Sequence, residues 1–234
     1  MNIFPKNFSV DIRHIHPWMV DYAEARNIQD RLSRLVEITP LKKAVSCIAG
    51  ADIAYSAKDN RLIAGVIVFT FPHLDIIEQV WSEGEASFPY IPGFLTFREA
   101  PTLLAALAKL RHDPDIIVLD GQGIAHPRRL GLASHIGVIL DIPSIGCAKK
   151  RLFGKYTEPG EQKGEYTFLY HKEEIIGAAL RTKSRVKPVF ISVGHKVDLE
   201  GALQIILACT GKYRLPEPTR QAHIFVNRLR KEKT

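Results

Sequence analysis

The feature that most constrains the fold of this 234-residue chain is an apolar run that stops abruptly at an acid. Val118 and Leu119 close the run, and Asp120, a Gly-Gln-Gly turn and then His126 follow. A short apolar run bounded by turn residues is typical of a buried strand, and an unpaired buried carboxylate is costly. The pattern therefore predicts a strand that delivers Asp120 to the rim of a sheet, where a metal ion or a phosphate can share its site.

The first half of the chain predicts one helix and three antiparallel strands. Apolar residues recur at helical spacing over 19–38, and Pro40 stops that helix. Strand-like runs follow at 45–52, 62–69 and 75–81, and the polar turn 58–61 separates the first two. Strands joined by such short links favour an antiparallel meander.

The second half alternates between helical and strand-like segments. Helices are predicted over 101–110, 130–140, 198–210 and 218–230, and strands over 115–120, 143–147, 165–170, 174–180 and 188–193. Alternation of this kind is typical of parallel strands joined by crossover helices. We therefore predict one α/β domain over residues 1–234, with a mixed sheet that begins antiparallel, turns parallel and carries helices on both faces.

Composition narrows the class of protein and of partner. The net charge is +7 and the isoelectric point about 9.3, which favours a polyanionic partner. Cys47, Cys147 and Cys209 stand far apart and outside any zinc spacing, which indicates reduced, packed thiols. Met1 to Val10 lacks the apolar core of a signal peptide, and no window is long enough to span a membrane. We expect a soluble, cytoplasmic protein with no membrane partner.

Two predicted strands end in carboxylates, and a third carboxylate lies near a helix start. Asp52 closes the first strand and Asp120 the fourth, so both acids meet at one sheet edge if the strands are neighbours. Paired acids repel unless a cation neutralises them, and a few oxygen ligands suit Mg²⁺. Glu99 stands either in a capping box or at the junction before a helix that begins near Pro101, and Pro101 favours the junction. A strand-terminal aspartate also often caps only the next turn.

Several basic and imidazole groups could serve the same edge. Lys149 follows a short strand, where it could neutralise a phosphate or position water, although a solvated basic turn is the more common role. His126 is six residues beyond Asp120, within reach of its site. His223 lies on the last predicted helix, and spacing alone says little about it.

Two further motifs leave alternatives open. Asp120-Gly121-Gln122-Gly123 resembles half of a dinucleotide-binding turn, but His126 stands where the last glycine of that motif belongs, so this interpretation is weak. In Pro89-Tyr90-Ile91-Pro92-Gly93, two prolines stiffen a short apolar loop that presents a tyrosine. Such a rigid tip is a candidate wedge against stacked bases, and a packed connection between strands is an equal alternative.

Taken together, these motifs resemble the endonuclease V family of deoxyinosine-directed nucleases. The matching segments are Gly50 to Tyr55, Pro89 to Gly93, Phe97 to Pro101, Asp120 to Arg128, Gly131 to His135 and Gly146 to Lys150. The Asp-Gly-x-Gly-x-x-His-Pro-Arg and Pro-Tyr-Ile-Pro strings are together highly specific. The resemblance implies a ribonuclease-H-like fold, in agreement with the predicted order of strands and helices.

The resemblance also implies an activity and a set of site residues. It implies Mg²⁺-dependent hydrolysis, with Mn²⁺ as a substitute, of the second phosphodiester bond on the 3′ side of deoxyinosine, which leaves 3′-hydroxyl and 5′-phosphate ends. The residues carried over are the metal-site acids Asp52, Glu99 and Asp120, the supporting groups His126, Lys149 and His223, the wedge Pro89, Tyr90, Ile91 and Pro92, and the lesion pocket Gly93, Gly121, Gln122 and Gly123. The implied partner is deoxyinosine-containing DNA, duplex or single-stranded, bound by a monomer.

Three other functions remain open at the level of sequence. Some relatives cleave inosine-containing RNA, although the wedge motif leans towards duplex DNA. A lesion-binding module without turnover is the second alternative, and the complete set of acids argues against it. A different ribonuclease-H-like nuclease, such as a junction resolvase, is the third and weakest. The number of metal ions is also open.

Overall fold

The computed structural model describes residues 11–232, and within them the chain forms one eight-stranded sheet and five α-helices. The strands are β1 (Cys47–Ser56), β2 (Arg61–Thr70), β3 (Ile76–Glu85), β4 (Ile116–Leu119), β5 (Ser144–Ala148), β6 (Tyr166–His171), β7 (Glu174–Leu180) and β8 (Val189–His195). The helices are α1 (Tyr22–Leu32), α2 (Leu95–Leu107), α3 (Leu132–Leu140), α4 (Leu199–Ala208) and α5 (Glu217–Glu232).

The sheet has the strand order β3-β2-β1-β4-β5-β8-β7-β6. Strands β1, β2 and β3 form the predicted antiparallel meander, and β1, β4 and β5 are parallel neighbours. Beyond β5 the remaining strands β8, β7 and β6 pair antiparallel. The predicted mixed α/β fold is confirmed, and β6 to β8 extend it with a second antiparallel section.

Alternating side chains of the sheet enter two separate apolar cores. One face of β1 and β4, with Ile48 and Val118, packs against residues of α4 and α5. The other face, with Ala49 and Leu119, packs against α2 and α3. This period-two alternation is the reason that helices cover both faces, as the sequence predicted.

The first helix is shorter than predicted. It spans Tyr22–Leu32, and the side chain of Asp21 caps it by accepting a hydrogen bond of 2.8 Å from the Glu24 amide. A 3₁₀ turn over Ser33–Leu35 follows. The apolar residues at the ends of the predicted range, Val20 and Val36, still pack against the core, but from outside the helix. The apolar pattern over 19–38 is longer than the helix because it also includes buried residues that are not helical.

Two predicted boundaries near the acids were wrong. β1 does not end at Asp52 but continues to Ser56, because β2 pairs with it along its whole length. α2 begins at Leu95, six residues before Pro101, which lies inside the helix. The buried rings of Phe94 and Phe97 anchor this early start, and their packing offsets the helix hydrogen bond that Pro101 cannot donate. Glu99 therefore lies within α2. β3 also extends beyond the predicted range 75–81, to Glu85.

The three cysteines are free thiols, and Cys147 and Cys209 are buried as predicted. No helix among residues 11–232 is both long and apolar enough to cross a membrane. The expectation about Met1 to Val10 falls outside the described residues.

Two glycines let α5 lie unusually close to the sheet. A Cβ atom at Gly50 would fall 2.1 Å from the Pro218 carbonyl oxygen, and one at Gly65 would fall 2.6 Å from the side chain of Val226. These separations are far below van der Waals contact, and at Gly50 the conflict is with backbone, so a larger residue there would require the helix to move. Gly50 and Gly65 thus determine how closely α5 approaches β1 and β2.

We predict that Gly50→Ala destabilises the protein by roughly 2 kcal/mol or more, because its new methyl group would collide with backbone rather than with a flexible side chain. The free energy of unfolding, measured with urea, tests this. Gly211→Ala is the matched control, since a Cβ at Gly211 meets nothing within 4 Å. Equal stability of the two variants would contradict the proposed role of Gly50.

Candidate active site

The carboxylates of Asp52 and Asp120 lie side by side because of the register between β1 and β4. The parallel pairing of these strands ends at Ala51 opposite Leu119, and the Asp120 amide donates a 3.3 Å hydrogen bond to the Ala51 carbonyl. Asp52 and Asp120 are the next residues on each strand, so both side chains point to the face that α5 covers. Asp52 is in mid-strand, but it is at the point where β4 stops beside it.

Helix α5 adds His223 to this pair. The Nδ1 atom of His223 is 2.7 Å from Oδ2 of Asp52. The contact depends on the close approach of α5 at Gly50 and Gly65. Gly50 lies two residues before Asp52 in β1, and Gly65 lies directly opposite Asp52 in β2. The structure therefore brings the predicted residue His223 to the acids, although the sequence spacing gave little sign of it.

Lys149 supplies the positive charge at the edge. It follows β5, the parallel neighbour of β4, and its ammonium group forms a short ion pair with Oδ2 of Asp120. Burial raises the pKa of Asp52, the negative charge of Asp120 raises it further, and the hydrogen bond from His223 opposes both effects. Two crowded carboxylates with one ammonium leave this edge short of positive charge.

Glu99 reaches the same edge from the opposite layer. Burial raises the pKa of its carboxyl group to about 8, with a further contribution from Asp52 and a smaller one from Asp120, while Arg98 acts in the opposite direction. A carboxyl group in this environment retains its proton at neutral pH unless a cation lies beside it. The position of Glu99 within α2 is therefore compatible with the predicted acidic set.

The donor set fits a hard divalent cation. One ligand atom each from Asp52, Asp120 and His223 lie within 4.8 Å of one another. Carboxylate oxygens are the ligands that Mg²⁺ and Mn²⁺ prefer. Burial, and after it the negative charge of Asp120, raises the pKa of Asp52, and a cation beside Asp52 would offset both effects. Oxygen chemistry, geometry and charge all favour this cluster as a metal site.

A second cluster of potential ligands, Glu37, Asp141 and His195, fits a cation less well. Arg13 and Lys196 form ion pairs of 3.0 and 2.8 Å with the Asp141 carboxylate. These contacts lower the pKa of Asp141, the Lys196 hydrogen bond being the largest cause. Its charge is thus already neutralised by the protein itself.

A cavity of about 430 Å³ opens beside the carboxylates. Its lining includes Asp120 together with the residues Tyr90, Ile91, Pro92, Gly93, Gly121, Gln122, His126, Lys150, Arg151 and Leu152. Tyr90 is 72% exposed at the mouth, whereas Ile91 packs against the aromatic core beneath the loop. The predicted loop 89–93 therefore forms one wall of a pocket rather than only a packed connection.

The glycine turn after Asp120 divides into two parts. Gly121 and Gln122 line the cavity, and the Gln122 amide donates a 3.0 Å hydrogen bond to the Lys150 carbonyl. Gly123 instead packs on β8, because a Cβ there would lie 1.9 Å from the Val193 carbonyl oxygen. Close packing against a strand explains the glycine at position 123.

His126 does not join the carboxylates through a hydrogen bond of its ring. Nδ1 accepts a 3.2 Å bond from the Arg128 amide, and Nε2 is 2.9 Å from the Gly93 carbonyl oxygen. Burial lowers the pKa of His126 to about 4, and Arg128 adds to this effect. The neutral ring therefore acts as a donor that holds Gly93, and both ring nitrogens are occupied.

Gln29 on α1 is a buried contact of this loop that sequence motifs did not indicate. Its Nε2 atom donates a 2.9 Å hydrogen bond to the Gly93 carbonyl, and the residue is fully buried. One signal was available in the sequence, since Gln29 interrupts the apolar stripe Ala25, Ile28 and Leu32 on the buried face of α1. A polar residue in such a stripe needs a buried partner.

A mixed sheet with helices on both faces, and a carboxylate cluster beside a cavity at one edge, define the chain as an α/β enzyme with an acidic site. Comparison with known proteins gives the family. The sequence model of endonuclease V matches residues 30–224. The chain belongs to the endonuclease V family, whose members are nucleases that hydrolyse phosphodiester bonds.

Individual relatives cover nearly the whole chain. The Endonuclease V of Dictyoglomus turgidum is 48% identical over 208 residues, which are 89% of this chain and 90% of the relative. The crystal structure of the Streptomyces avermitilis Endonuclease V superposes with a TM-score of 0.89 at 43% identity, covering 95% and 98% of the two chains. A Ciona intestinalis Endonuclease V variant, bound to a 23-mer DNA with an inosine followed by a ribo-adenosine, superposes with a TM-score of 0.79 at 29% identity, covering 91% and 98%.

We predict that Glu99→Gln stabilises the metal-free protein at pH 8 but not at pH 5. The pKa of Glu99 is raised from 4.5 to about 8 in the folded state, so its favourable contribution is complete below about pH 4.5 and is lost as the pH rises towards 8. The variant should gain on the order of 4 kcal/mol over the parent between these pH values. Urea unfolding in a chelator measures the gain.

Glu85→Gln, at an exposed carboxylate of β3, is the control and should show no such pH dependence. If Glu99→Gln changed stability equally at pH 5 and pH 8, the assigned electrostatic environment of Glu99 would be wrong.

Proposed function

We propose that this chain is a DNA repair endonuclease that requires a divalent cation and nicks the strand at the second phosphodiester bond on the 3′ side of deoxyinosine, leaving 3′-hydroxyl and 5′-phosphate ends. Membership of the endonuclease V family supports the reaction class. The inosine-containing DNA bound by the Ciona intestinalis relative supports the type of lesion. We propose that the protein acts as a monomer, since one chain supplies every group of the site.

One observation carries the proposal: Asp120 belongs both to the carboxylate cluster and to the lining of the cavity. A base held in the cavity would therefore place the neighbouring phosphates of its own strand at the acids. The cavity volume of about 430 Å³ falls within the range of roughly 300–1,000 Å³ that is usual for pockets that bind small molecules. Recognition of a base and hydrolysis of a nearby phosphodiester are thus combined at one residue.

Asp52 and Asp120 would hold the cation, with Glu99 beside them. When bound there, Mg²⁺ supplies positive charge that activates water for attack and offsets the charge of the phosphate, and Mn²⁺ has suitable coordination chemistry as a substitute. Lys149 is held on Asp120, where its ammonium group would stabilise the charge that develops on the phosphate. His223 keeps Asp52 oriented through the 2.7 Å contact.

The loop 89–93 and the glycine turn would hold the base. Pro89, Tyr90, Ile91 and Pro92 form the proposed wedge, and the exposed ring of Tyr90 is suited to stack on bases as the hypoxanthine leaves the duplex. Gly93, Gly121 and Gln122 would form pocket walls. Gly123 would hold the turn in place through its close packing on β8. His126 contributes by fixing Gly93 and not by transferring a proton.

Cleavage of inosine-containing RNA is the second candidate. The Ciona intestinalis relative binds a strand in which a ribo-adenosine follows the inosine, so a ribonucleotide at that position is compatible with binding in one relative. The wedge favours DNA in this chain, because it is suited to separating the strands of a duplex. Matched deoxyinosine and inosine strands distinguish the two substrates.

A nicking assay tests the proposal. We expect Mg²⁺-dependent cutting of a duplex that carries one deoxyinosine, at the second 3′ phosphodiester bond, and no cutting when deoxyguanosine replaces the lesion. Asp120→Asn should lower the rate by about a hundredfold or more, the usual loss when one preorganised electrostatic group is removed from a reaction site. Sequencing gels locate the cut and give the rate.

Glu37→Gln is the control, because Glu37 belongs to the other potential ligand cluster, and it should cut at the parental rate. Cutting by Asp120→Asn at the parental rate would show that the reacting phosphate lies elsewhere. Faster cutting of the inosine RNA strand than of the deoxyinosine strand would make RNA the substrate.

A further inference from the structure

Three side chains from two parts of the chain donate hydrogen bonds to one carbonyl oxygen at the base of the proposed wedge. The Gly93 oxygen lies 2.9 Å from Nε2 of Gln29, 2.9 Å from Nε2 of His126 and 2.9 Å from Nη2 of Arg128. A carbonyl oxygen has two lone pairs, so these donors saturate it. The Gly93 carbonyl is therefore engaged by the protein and is not free to recognise a base.

The donors also fix one another. Oε1 of Gln29 accepts a 2.5 Å hydrogen bond from Nε of Arg128, and the Arg128 guanidinium lies 4.1 Å from the ring centre of Phe94. Because Arg128 can only donate, the side-chain amide of Gln29 has a single orientation, with its NH₂ group directed at Gly93. Gln29 thus links the guanidinium group of Arg128 to the carbonyl of the loop.

The backbone at Gly93 needs such a restraint. Gly93 has a φ angle of +82°, a conformation that glycine adopts at little cost and that it also leaves easily. It is the last residue of the loop that presents Tyr90, and α2 begins two residues later. Contacts that hold the Gly93 carbonyl therefore determine the direction in which the wedge leaves α2.

Burying the side-chain amide of Gln29 costs folding free energy. It is fully buried on α1, and its neighbours Ala25, Ile28 and Leu32 belong to the aromatic and aliphatic cluster beneath the loop. An apolar side chain would fill this position without the cost of burying an amide. Within the described residues 11–232, the buried amide is compensated by its bonds to the Gly93 and Leu130 carbonyls and to Arg128.

We propose that Gln29 is a positioning residue that locks the wedge loop through the Gly93 carbonyl, so that α1 takes part in opening a duplex without touching the nucleic acid. The inference rests on the proposed function, because it assumes that the loop 89–92 acts as a wedge. Strand separation is needed for duplex substrates and not for single strands. Loss of Gln29 should therefore impair cleavage of duplex DNA selectively.

Gln29→Met tests this, since it keeps the volume and removes all three hydrogen bonds. We expect kcat/KM to fall by about tenfold on a deoxyinosine duplex, because the Gly93 carbonyl loses one of its three donors and the worth of one buried hydrogen bond is about that factor. On the same strand without its complement, kcat/KM should stay within about twofold of the parent after correction for the folded fraction. Tyr90→Ala, which removes the wedge ring itself, should give the same split between the two substrates.

Gln29→Glu separates the two partners of the amide. It retains an acceptor for Arg128 but offers no amide donor to Gly93, so it should behave like Gln29→Met if the bond to the carbonyl is what matters. It also serves as the second variant should Gln29→Met fold poorly. Leu203→Ala, at a buried position of α4 in the core on the other face of the sheet, controls for general destabilisation and should affect both substrates equally.

Hydrogen–deuterium exchange supplies a readout without substrate. Deuterium uptake over residues 88–97 should increase in both Gln29 variants and not in Leu203→Ala. Unchanged uptake in the Gln29 variants, or an equal loss of kcat/KM on duplex and single strand, would overturn the inference. If the parent protein did not cut deoxyinosine strands at all, the proposed function would fail, whereas the exchange experiment would still decide whether Gln29 holds the loop.

Discussion

Helix α5 lies against strands β1 and β2 at two positions without side chains, Gly50 and Gly65, and the site depends on that contact. A Cβ at Gly50 would lie 2.1 Å from the Pro218 carbonyl oxygen, so the helix approaches as closely as backbone permits. This spacing allows His223 to reach Asp52 across 2.7 Å. The register between β1 and β4 then places Asp120 beside Asp52. The same packing that forms the core therefore also brings the site residues together.

The cluster of Asp52, Glu99 and Asp120 lowers the stability of the folded chain. Burial and mutual repulsion raise the pKa of Asp52, and they raise that of Glu99 to about 8, while Lys149 is the ammonium group paired with Asp120. Stability alone would favour apolar or paired residues at these positions. The proposed cation would neutralise these carboxylates, and its binding would then be coupled to the stability of the α5 layer.

Much of the fold and most of the site follow from the sequence, for reasons that particular residues make clear. Strand β7 and the start of α5 were predicted within a residue or so, because β7 is a short apolar run and α5 carries apolar residues at helical spacing. Pro101 misled the prediction of α2, since the packing of Phe94 and Phe97 outweighs the local preference of proline. The continuation of β1 beyond Asp52 depends on pairing with β2, which no local pattern reveals. Gln29 was missed because its partner, Gly93, is 64 residues away.

We propose above all that Asp52 and Asp120, brought together by the register between β1 and β4, bind a divalent cation. A crystal structure of the protein with Mn²⁺, with anomalous scattering used to locate the ion, tests it most directly. We expect an anomalous peak between the two carboxylates, at about 2.1 Å from an oxygen of each. A Mn²⁺ ion bound only at Glu37, Asp141 and His195, with none between Asp52 and Asp120, would contradict it.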